Sequence, residues 1–520
     1  MKKITRRGFI TLSALSAATL GTAISYGIGS DGEKVIIGRP AIAGLAKGTA
    51  TRKHVDESSR TIPVMAETDV LVIGSGPAGL AAALAAAKEG VNTLLVERYG
   101  FFGGVITQVN MGSITWYRYA KTIDAGGICR EFETKAEKMG ASIDPFIVLK
   151  KIPLVTGMLE KEGLIVDGKP TYKLLNTEMF KYVADTLLLE SGIVPVLHCL
   201  AVGVIMDGDT IRGVITESKS GRQAILAKRV IDATGDADIA SFAGVPFRKS
   251  PKQDIMEVTS NFSCSGVKLI PFMTHMLTNV GKMKDWGLET SGKEDEMSST
   301  VLIEPFEKAK KAGILGKDWD VRSYWNGLTE NGDILTVNAV HMTGIDPTDV
   351  WDLTKAEMEG RRRAVLVMES LKKYAPGFSD ARIRNFHMSL GTRESRKIIG
   401  AYNITFNDIK NQARFKDSLG VCPEFIDGYN VLYIPTTGRY FHVPYGIILP
   451  KKVENLLVVG RCVAGDKISH AATRQMVCCM VTGQGAGVAA AVSIKDKVTC
   501  RKVNISRVQS LLKKQGVRIA

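Results

Sequence analysis

Apolar runs and helical patterns alternate through the first half of the chain. Residues 69–73 and 93–96 are short apolar runs, and the alanine-rich stretch between them repeats its apolar positions at helical spacing. Residues 176–190 again show helical spacing and lead into an apolar run at 193–199. This order of strands and helices predicts a mostly parallel α/β sheet.

Residues 201–217 form two runs of alternating apolar and polar positions around an Asp-Gly turn, and a third run follows Gly221. Such spacing predicts a β-meander. Residues 229–236 contain a short apolar run and end in small residues and an acid, which indicates a strand returning to the parallel sheet.

The pattern changes near residue 246. Residues 246–440 lack a glycine turn and alternate short strand-like and helix-like segments. Residues 455–461 then resemble a buried strand, and the glycine-rich run at 483–487 introduces or interrupts a helix of small residues. The sequence therefore predicts an α+β domain inserted into the first domain, which resumes near His442.

A glycine turn joins the first strand to the alanine-rich helix. Gly74 permits the tight turn, Gly76 lets the backbone approach a pyrophosphate, and Gly79 lets the helix lie close to the sheet. Unpaired N–H groups at the helix start favour a diphosphate. Glu97, at the end of the second strand, is placed to accept hydrogen bonds from a ribose diol. These features predict that the unit binds an adenine dinucleotide.

Length and charge narrow the class of protein. At 520 residues the chain exceeds the size of a single hydrophobic core, so at least two domains are expected. The net charge of +15 is spread without a basic tract interleaved with aromatics, which argues against nucleic acid and leaves an anionic substrate or an acidic electron carrier. The eight cysteines contain no CxxC pair, so neither a cluster nor another metal site is predicted.

The N-terminus carries Arg6 and Arg7, then Phe9 and a weakly apolar stretch to about residue 29. This resembles a twin-arginine signal for export of a folded protein, and the alternative is a basic arm before an anchor helix. Residues 41–43 have the small-x-small form of a signal cleavage site, but both the position of cleavage and cleavage itself stay open. We expect a periplasmic or other extracytoplasmic location, and no membrane span is predicted beyond the signal.

Several stretches carry a family resemblance. The order of glycine turn, acid, meander and final glycine-rich helix resembles the FAD flavoproteins with two dinucleotide-binding domains. The more specific stretches, which are similar to FAD-dependent oxidoreductases related to the flavin subunit of heterodisulfide reductase, are residues 97–104, 391–396, 442–446 and 460–462.

The resemblance implies FAD as the cofactor and an isoalloxazine ring at the domain interface, with N5 open on the cap side. A helix N-terminus near residues 483–487 would stabilise negative charge on the reduced flavin. Residues implied in FAD binding are Gly74, Ser75, Gly76, Pro77, Ala78, Gly79, Glu97, Arg98, Gly103, Gly104, Thr107, Ala201, Ala233, Thr234, Gly235, Asp236, Gly460, Arg461, Gly483, Gln484 and Gly485.

The predicted fold class is α/β: a Rossmann-like FAD-binding domain, with a mostly parallel sheet and a β-meander, carrying an inserted α+β substrate or cap domain. The predicted divisions are a signal at 1–30, a linker at 31–66, FAD-binding parts at 67–115, 171–245 and 441–495, cap parts at 116–170 and 246–440, and a C-terminal helix or tail at 496–520.

His470 and Arg474 lie four residues apart and would share one face of a helix. The histidine could move a proton and the arginine could hold a carboxylate, or both could anchor a loop through backbone hydrogen bonds. Arg393, beside Glu394 and Arg396, could recognise an anion or brace the cap through ion pairs.

Cys478 and Cys479 are adjacent, and Cys462 lies near the last strand. A redox role is conceivable for them, but packing is the favoured interpretation because a bridge between neighbouring cysteines is strained.

These features together predict an exported FAD-dependent oxidoreductase that transfers hydride between flavin N5 and a small organic substrate, a carboxylate being one option. An electron-transfer flavoprotein served by a periplasmic carrier is the first alternative. A subunit whose flavin only stabilises the fold is the second.

Overall fold

The apolar runs form strands of a seven-stranded sheet in the computed structural model of the protein. The structure describes residues 54–55, 57–114, 124–161, 165–278, 301–429 and 439–520, together with four short strands between these ranges or before them. The signal predicted at residues 1–30 lies outside the described residues, apart from one strand.

The strands, in chain order, are β1 Ser25–Ile28, β2 Lys34–Ile37, β3 Val64–Ile73, β4 Thr93–Val96, β5 Ser142–Ile143, β6 Ile165–Val166, β7 Lys169–Pro170, β8 Leu174–Leu175, β9 Val194–Val196, β10 Leu200–Asp207, β11 Thr210–Ser218, β12 Gly221–Asp232, β13 Phe247–Arg248, β14 Val258–Ser265, β15 Glu289–Thr290, β16 Trp325–Leu328, β17 Ile334–Met342, β18 Arg382–Phe386, β19 Lys397–Ile398, β20 Ser418–Pro423, β21 Ile426–Gly428, β22 Val431–Tyr433, β23 Tyr440–Pro444 and β24 Leu456–Val458.

The α-helices are α1 Pro77–Lys88, α2 Val105–Gln108, α3 Ile128–Lys138, α4 Pro153–Lys161, α5 Met179–Glu190, α6 Asp238–Phe242, α7 Leu269–Leu277, α8 Ile303–Lys311, α9 Val350–Tyr374, α10 Phe406–Lys410, α11 His470–Thr473, α12 Met476–Lys495 and α13 Ile505–Lys514.

The chain divides into two units, residues 1–58 and residues 59–520. In the first unit, β1 and β2 pair as an antiparallel hairpin. The second unit contains the large sheet, in which the strand order is β10-β11-β12-β3-β4-β9 and β24 also pairs with β12.

Strand β12 joins the antiparallel and the parallel parts of the large sheet because it is long enough to pair with strands of both. Its first half pairs antiparallel with β11, and its end pairs parallel with β24, where Val230 lies opposite Leu456. On its other edge β12 is parallel to β3, and β3, β4 and β9 continue the parallel part. The predicted Rossmann-like sheet with a meander is confirmed.

Helices α1 and α12 pack against each other at very close range. A Cβ added at Gly483 would overlap the carbonyl oxygen of Ala78, and one at Gly487 would overlap that of Ala82. Glycine therefore lets the two backbones touch. Among the described residues, α12 is the one helix long and apolar enough to span a membrane, and 94% of that stretch is buried inside the fold.

A four-stranded sheet of order β16-β17-β14-β18 forms the cap. On β14, Val258 and Phe262 belong to the cap core, which also includes residues of α9. The alternate residues face the other way: Thr259 lines a cavity and Asn261 donates to the carbonyl oxygen of Val109 at 2.9 Å. We call these four strands the cap sheet. Its apolar face packs against the cap helices, and its polar face lies towards the nucleotide-binding domain.

The second unit contains two hydrophobic cores. The cap core draws on residues between Val258 and Leu390, with Val148 added from an earlier segment. Ile398, Ile404 and Leu419 belong instead to the core around the large sheet. The segment predicted as cap, 246–440, is thus shared between the two cores, because its last part folds back onto α12.

Candidate active site

A cavity of 880 Å³ lies between the large sheet and the polar face of the cap sheet. Gly74 follows β3, Glu97 follows β4 and Ala233 follows β12, and all three line the cavity. Parallel strands end at one edge of a sheet, which is where open α/β sheets bind ligands. The volume is within the range of cofactor and small-molecule sites.

The glycine turn has a geometry that other residues would disturb. Gly74 has φ of +96°, and a Cβ at Gly79 would overlap the carbonyl oxygen of Gly74. At Gly76 an added Cβ would have Gly104 Cα as its nearest non-neighbouring contact, at 4.0 Å. Helix α1 begins at Pro77 without a side-chain cap. Its first N–H groups are therefore available to an anion, and the protein leaves room for one beside Gly76.

Glu97 holds this turn in place. Its Oε2 accepts hydrogen bonds from Ser75 N at 2.9 Å and from Ser75 Oγ at 2.6 Å, and its Oε1 accepts one from Tyr99 N at 3.0 Å. The side chain is buried, yet it lines the cavity. Glu97 therefore orients the glycine turn from the next strand, and its contact with a ribose remains a prediction.

Most of the predicted FAD-binding residues line the cavity. They are Gly74, Ser75, Gly76, Pro77, Ala78, Glu97, Arg98, Gly104, Ala201, Ala233, Thr234, Gly235, Asp236, Gly460 and Arg461. The predicted residues that lie outside its lining are Gly79, Gly103, Thr107, Gly483, Gln484 and Gly485.

Each residue outside the lining has a structural contact instead. Thr107 Oγ1 donates to the carbonyl oxygen of Phe102 at 2.8 Å, and a Cβ at Gly103 would clash with the Thr107 side chain. Gln484 Oε1 accepts from Ile128 N at 3.0 Å. Gly483 contacts α1, as described above, and a Cβ at Gly485 would overlap Leu419.

The helix end that contacts the cavity is the start of α12 at Met476, not residues 483–487 as predicted. Gln475, Met476 and Cys479 line the cavity. The glycine-rich run lies inside the helix, where small residues serve packing. The positive end of the α12 helix dipole therefore lies at Met476 beside the cavity, and not at residues 483–487.

Arg396 and Glu394 brace the structure, as one of the two interpretations proposed. Arg396 Nη1 donates to Asp238 Oδ1 at 2.8 Å and to the carbonyl oxygen of Asp236 at 2.9 Å. Glu394 is fully buried, pairs with Lys397 and accepts from Met256 N at 2.9 Å. Both side chains are therefore committed to internal contacts.

Arg393, by contrast, lines the cavity. Its Nη1 donates to Glu257 Oε1 at 2.8 Å, and Arg322 Nη2 lies 2.8 Å from the same oxygen and 2.7 Å from Asp320 Oδ2. Burial lowers the pKa of Arg393 to about 10, against the opposing charge of Glu257, so the guanidinium stays cationic at neutral pH. Burial acts to raise the pKa of Glu257, but His341 and the two guanidinium groups hold it well below its usual range.

Arg474 also lines the cavity, whereas His470 does not. Arg474 Nη2 donates to the carbonyl oxygen of Asp427 at 2.6 Å and to its Oδ2 at 3.2 Å. His470 is 1% exposed, and its Nε2 lies 2.9 Å from the carbonyl oxygen of Arg393. The His470 ring therefore makes the backbone contact expected from the anchoring interpretation, to the loop that carries Arg393, and its catalytic role stays a prediction.

Six further cavity residues could not be identified from the sequence. They are Asp320, Arg322, Tyr324, Asn338, His341 and Asp427. They come from separate strands and loops of the segment predicted as cap, and no spacing motif connects them. Alternation of polar and apolar residues at 335–339 could have indicated a two-faced strand, but not what its polar face covers.

Glu257, Asp320 and His341 have potential metal-ligand atoms within 4.8 Å of one another, the one such group in the described part of the chain. Arg393 Nη1, however, lies 3.1 Å from His341 Nδ1 and also contacts Glu257. A guanidinium at this position repels a metal cation, so the group is an ion-pair cluster. Burial, followed by the charge of Arg393, lowers the pKa of His341 to about 4, and the ring is neutral at pH 7.

All eight cysteines are free and buried. Cys478 and Cys479 are unbridged, and burial is the main cause that raises the pKa of the Cys462 thiol far above its usual value. A thiol that stays protonated is a poor nucleophile. Burial favours the packing interpretation for these three residues, which stays a prediction, and Cys479 also lines the cavity.

Acidification should destabilise the protein through His470. Burial, then the charge of Lys397, lowers its folded pKa to about 3, whereas an unfolded histidine titrates near 6.5. Between these values the unfolded chain binds more protons, so stability is complete above about pH 6.5 and is lost as the pH falls. We expect a loss of about 2 kcal/mol from this group between pH 7.5 and pH 5.0.

Urea unfolding at both pH values measures this loss. His470→Gln removes the titrating group, so its unfolding free energy should depend less on pH than that of the wild type. Equal pH dependence in the two proteins would contradict the assignment.

The fold and the cavity define a dinucleotide-binding oxidoreductase: a Rossmann-like turn with room for a diphosphate faces a polar, arginine-containing cap. The sequence profile of the family described as FAD dependent oxidoreductase matches residues 69–512. The chain belongs to this family.

The sequences of similar proteins align with only part of this chain. A thiamine thiazole synthase of Methanococcus vannielii is 30% identical over 187 residues, which cover 34% of this chain and 59% of that protein. A digeranylgeranylglycerophospholipid reductase of Methanocaldococcus jannaschii is 27% identical over 186 residues, which cover 35% of this chain and 42% of that protein. The chain thus spans less than two thirds of either relative. A solved structure of a geranylgeranyl bacteriochlorophyll reductase-like protein from Thermoplasma acidophilum has a TM-score of 0.41 and 14% identity, covering 87% of this chain and 85% of that one.

Proposed function

We propose that this FAD-dependent oxidoreductase is exported and transfers hydride between flavin N5 and a small organic carboxylate. The observation that carries the proposal is the single cavity that extends from the glycine turn at Gly74 to the guanidinium groups of Arg393 and Arg474. FAD supplies the hydride acceptor or donor when it is bound. The residues of the chain bind and orient the substrate beside it.

Two features support a carboxylated substrate. Arg474 presents a planar guanidinium to the cavity, and this group can hold a carboxylate through two parallel hydrogen bonds. The cap end is otherwise lined by polar side chains such as Tyr324 and Asn338, which suit a small polar molecule better than a long apolar one.

Absorption spectroscopy of the purified protein tests the proposal. The flavin band should bleach on anaerobic reduction and return when small unsaturated acids are added. Return only with a cytochrome would favour electron transfer to a periplasmic carrier. A flavin that reductants do not reach, and that no acceptor reoxidises, would favour a purely structural cofactor.

Export is a separate part of the proposal. The Arg6 and Arg7 pair before an apolar stretch supports the twin-arginine route. The stretches noted above support a relation to the flavin subunit of heterodisulfide reductase. Replacing both arginines by lysine should retain the protein in the cytoplasm with FAD bound. Unchanged appearance in the periplasmic fraction would contradict this route.

A further inference from the structure

Three buried polar atoms of the cavity wall lack a hydrogen-bond partner among the described residues. They are Arg474 Nε, whose side chain is 12% exposed, Asn338 Oδ1, on a residue that is 7% exposed, and Trp325 Nε1. All three residues line the cavity. A buried polar atom without a partner is costly because it loses its hydrogen bonds to water. Such atoms in a cavity wall indicate that a bound molecule supplies the partners.

The three atoms do not all require the same kind of partner. Arg474 Nε and Trp325 Nε1 can only donate, so they require acceptors on the ligand. Asn338 Oδ1 accepts, and so does the carboxylate of Asp427, which lines the same cavity with its side chain 33% exposed. The ligand therefore carries both an acceptor for the arginine and a donor for the amide and the carboxylate.

The charges at the cap end are already balanced. The guanidinium groups of Arg322, Arg393 and Arg474 are paired with the carboxylates of Glu257, Asp320 and Asp427. His341 is neutral at pH 7, as shown above. A ligand with one unbalanced negative charge would leave that charge uncompensated in a partly buried site, which is costly, whereas a zwitterion adds no net charge.

We propose that the substrate is a zwitterionic α-amino acid, its carboxylate on Arg474 and its ammonium group towards Asp427 and Asn338. This rests on the proposed function. In the oxidative direction the Cα–H bond breaks and its electron pair leaves as hydride to FAD, one ammonium proton is released, and a C=N bond forms. FAD is reduced by two electrons and the amino acid becomes an imino acid.

Matched probe series test the substrate class on the FAD-loaded protein under anaerobic conditions. Each series contains an amino acid, its 2-hydroxy acid and the acid without either group: alanine, lactate and propionate; leucine, 2-hydroxy-4-methylpentanoate and 4-methylpentanoate; and phenylalanine, phenyllactate and 3-phenylpropionate. Perturbation of the flavin spectrum reports Kd, and bleaching reports reduction. In at least one series the amino acid should bind at least 10-fold more tightly than both analogues.

A charge variant sharpens the test. Asp427→Asn removes a carboxylate that faces the ammonium group, so the preference should shift by at least 10-fold towards the simple acid. Asp207→Asn, on an exposed residue outside the cavity, should leave the preference unchanged. FAD content and the thermal midpoint establish that each variant is folded.

The outcomes separate the two proposals. Binding or reduction by hydroxy, simple or unsaturated acids in preference to amino acids would overturn the amino acid assignment and leave the proposed function intact. If no small acid perturbs or reduces the flavin, both fail. An unchanged preference in Asp427→Asn would overturn the placement of the ammonium group.

Discussion

Gly76→Ala is expected to weaken FAD binding by about 100-fold, or about 2.7 kcal/mol, while the apoprotein stays folded. Gly76 has φ of −64° and ψ of −179°, which alanine adopts freely, and an added Cβ would have its nearest non-neighbouring protein contact at 4.0 Å. The protein therefore tolerates the methyl group. The diphosphate does not, because the methyl group occupies the space through which it approaches the backbone at the start of α1.

Fluorescence titration of the apoprotein with FAD measures the change, and circular dichroism measures the fold. Gly157→Ala is the matched control, since Gly157 is exposed in α4 and an added Cβ there meets nothing within 4 Å. Gly79→Ala should differ from both, because its Cβ overlaps Gly74 and disturbs the turn itself. Normal FAD affinity in Gly76→Ala would place the diphosphate elsewhere.

Arg474→Ala is expected to lower kcat/KM by about 100- to 1,000-fold without loss of FAD. The side chain is 12% exposed at the cavity wall, and its Nε donates to no described protein group. Its loss removes the group that orients the substrate carboxylate. Arg474→Lys should recover only part of the rate, because an ammonium group cannot reproduce a planar, two-point contact.

The substitution also leaves Asp427 unpaired, so the double variant Arg474→Ala with Asp427→Asn separates lost recognition from an unbalanced charge. Arg501→Ala is the control, because Arg501 pairs with Glu454 at 2.6 Å outside the cavity. Steady-state kinetics with the substrate found by the spectral screen provide the readout. A full rate in Arg474→Ala would remove this residue from the substrate site.

The nucleotide half of the site could be predicted because its residues are local in sequence. One strand, one turn and one helix bring Gly74, Gly76 and Gly79 together, and Glu97 follows on the adjacent strand. The backbone geometry that each of these glycines permits depends only on residues close to it in sequence. Helical spacing alone could not place His470 and Arg474 in the site. It indicates which residues share a helix face, but not what that face contacts.

The sequence by itself determined the Rossmann-like class, the dinucleotide turn and the arginine-rich character of residues 391–396. Tertiary structure alone decided that Arg393 faces the cavity while Arg396 braces a turn, and that Gly483 packs against α1 instead of facing the cofactor. It also assembled Arg322, Asn338 and Asp427 from distant segments. The physical reason is that backbone geometry is set by near neighbours, whereas the burial and pairing of a side chain depend on the surface that packs against it.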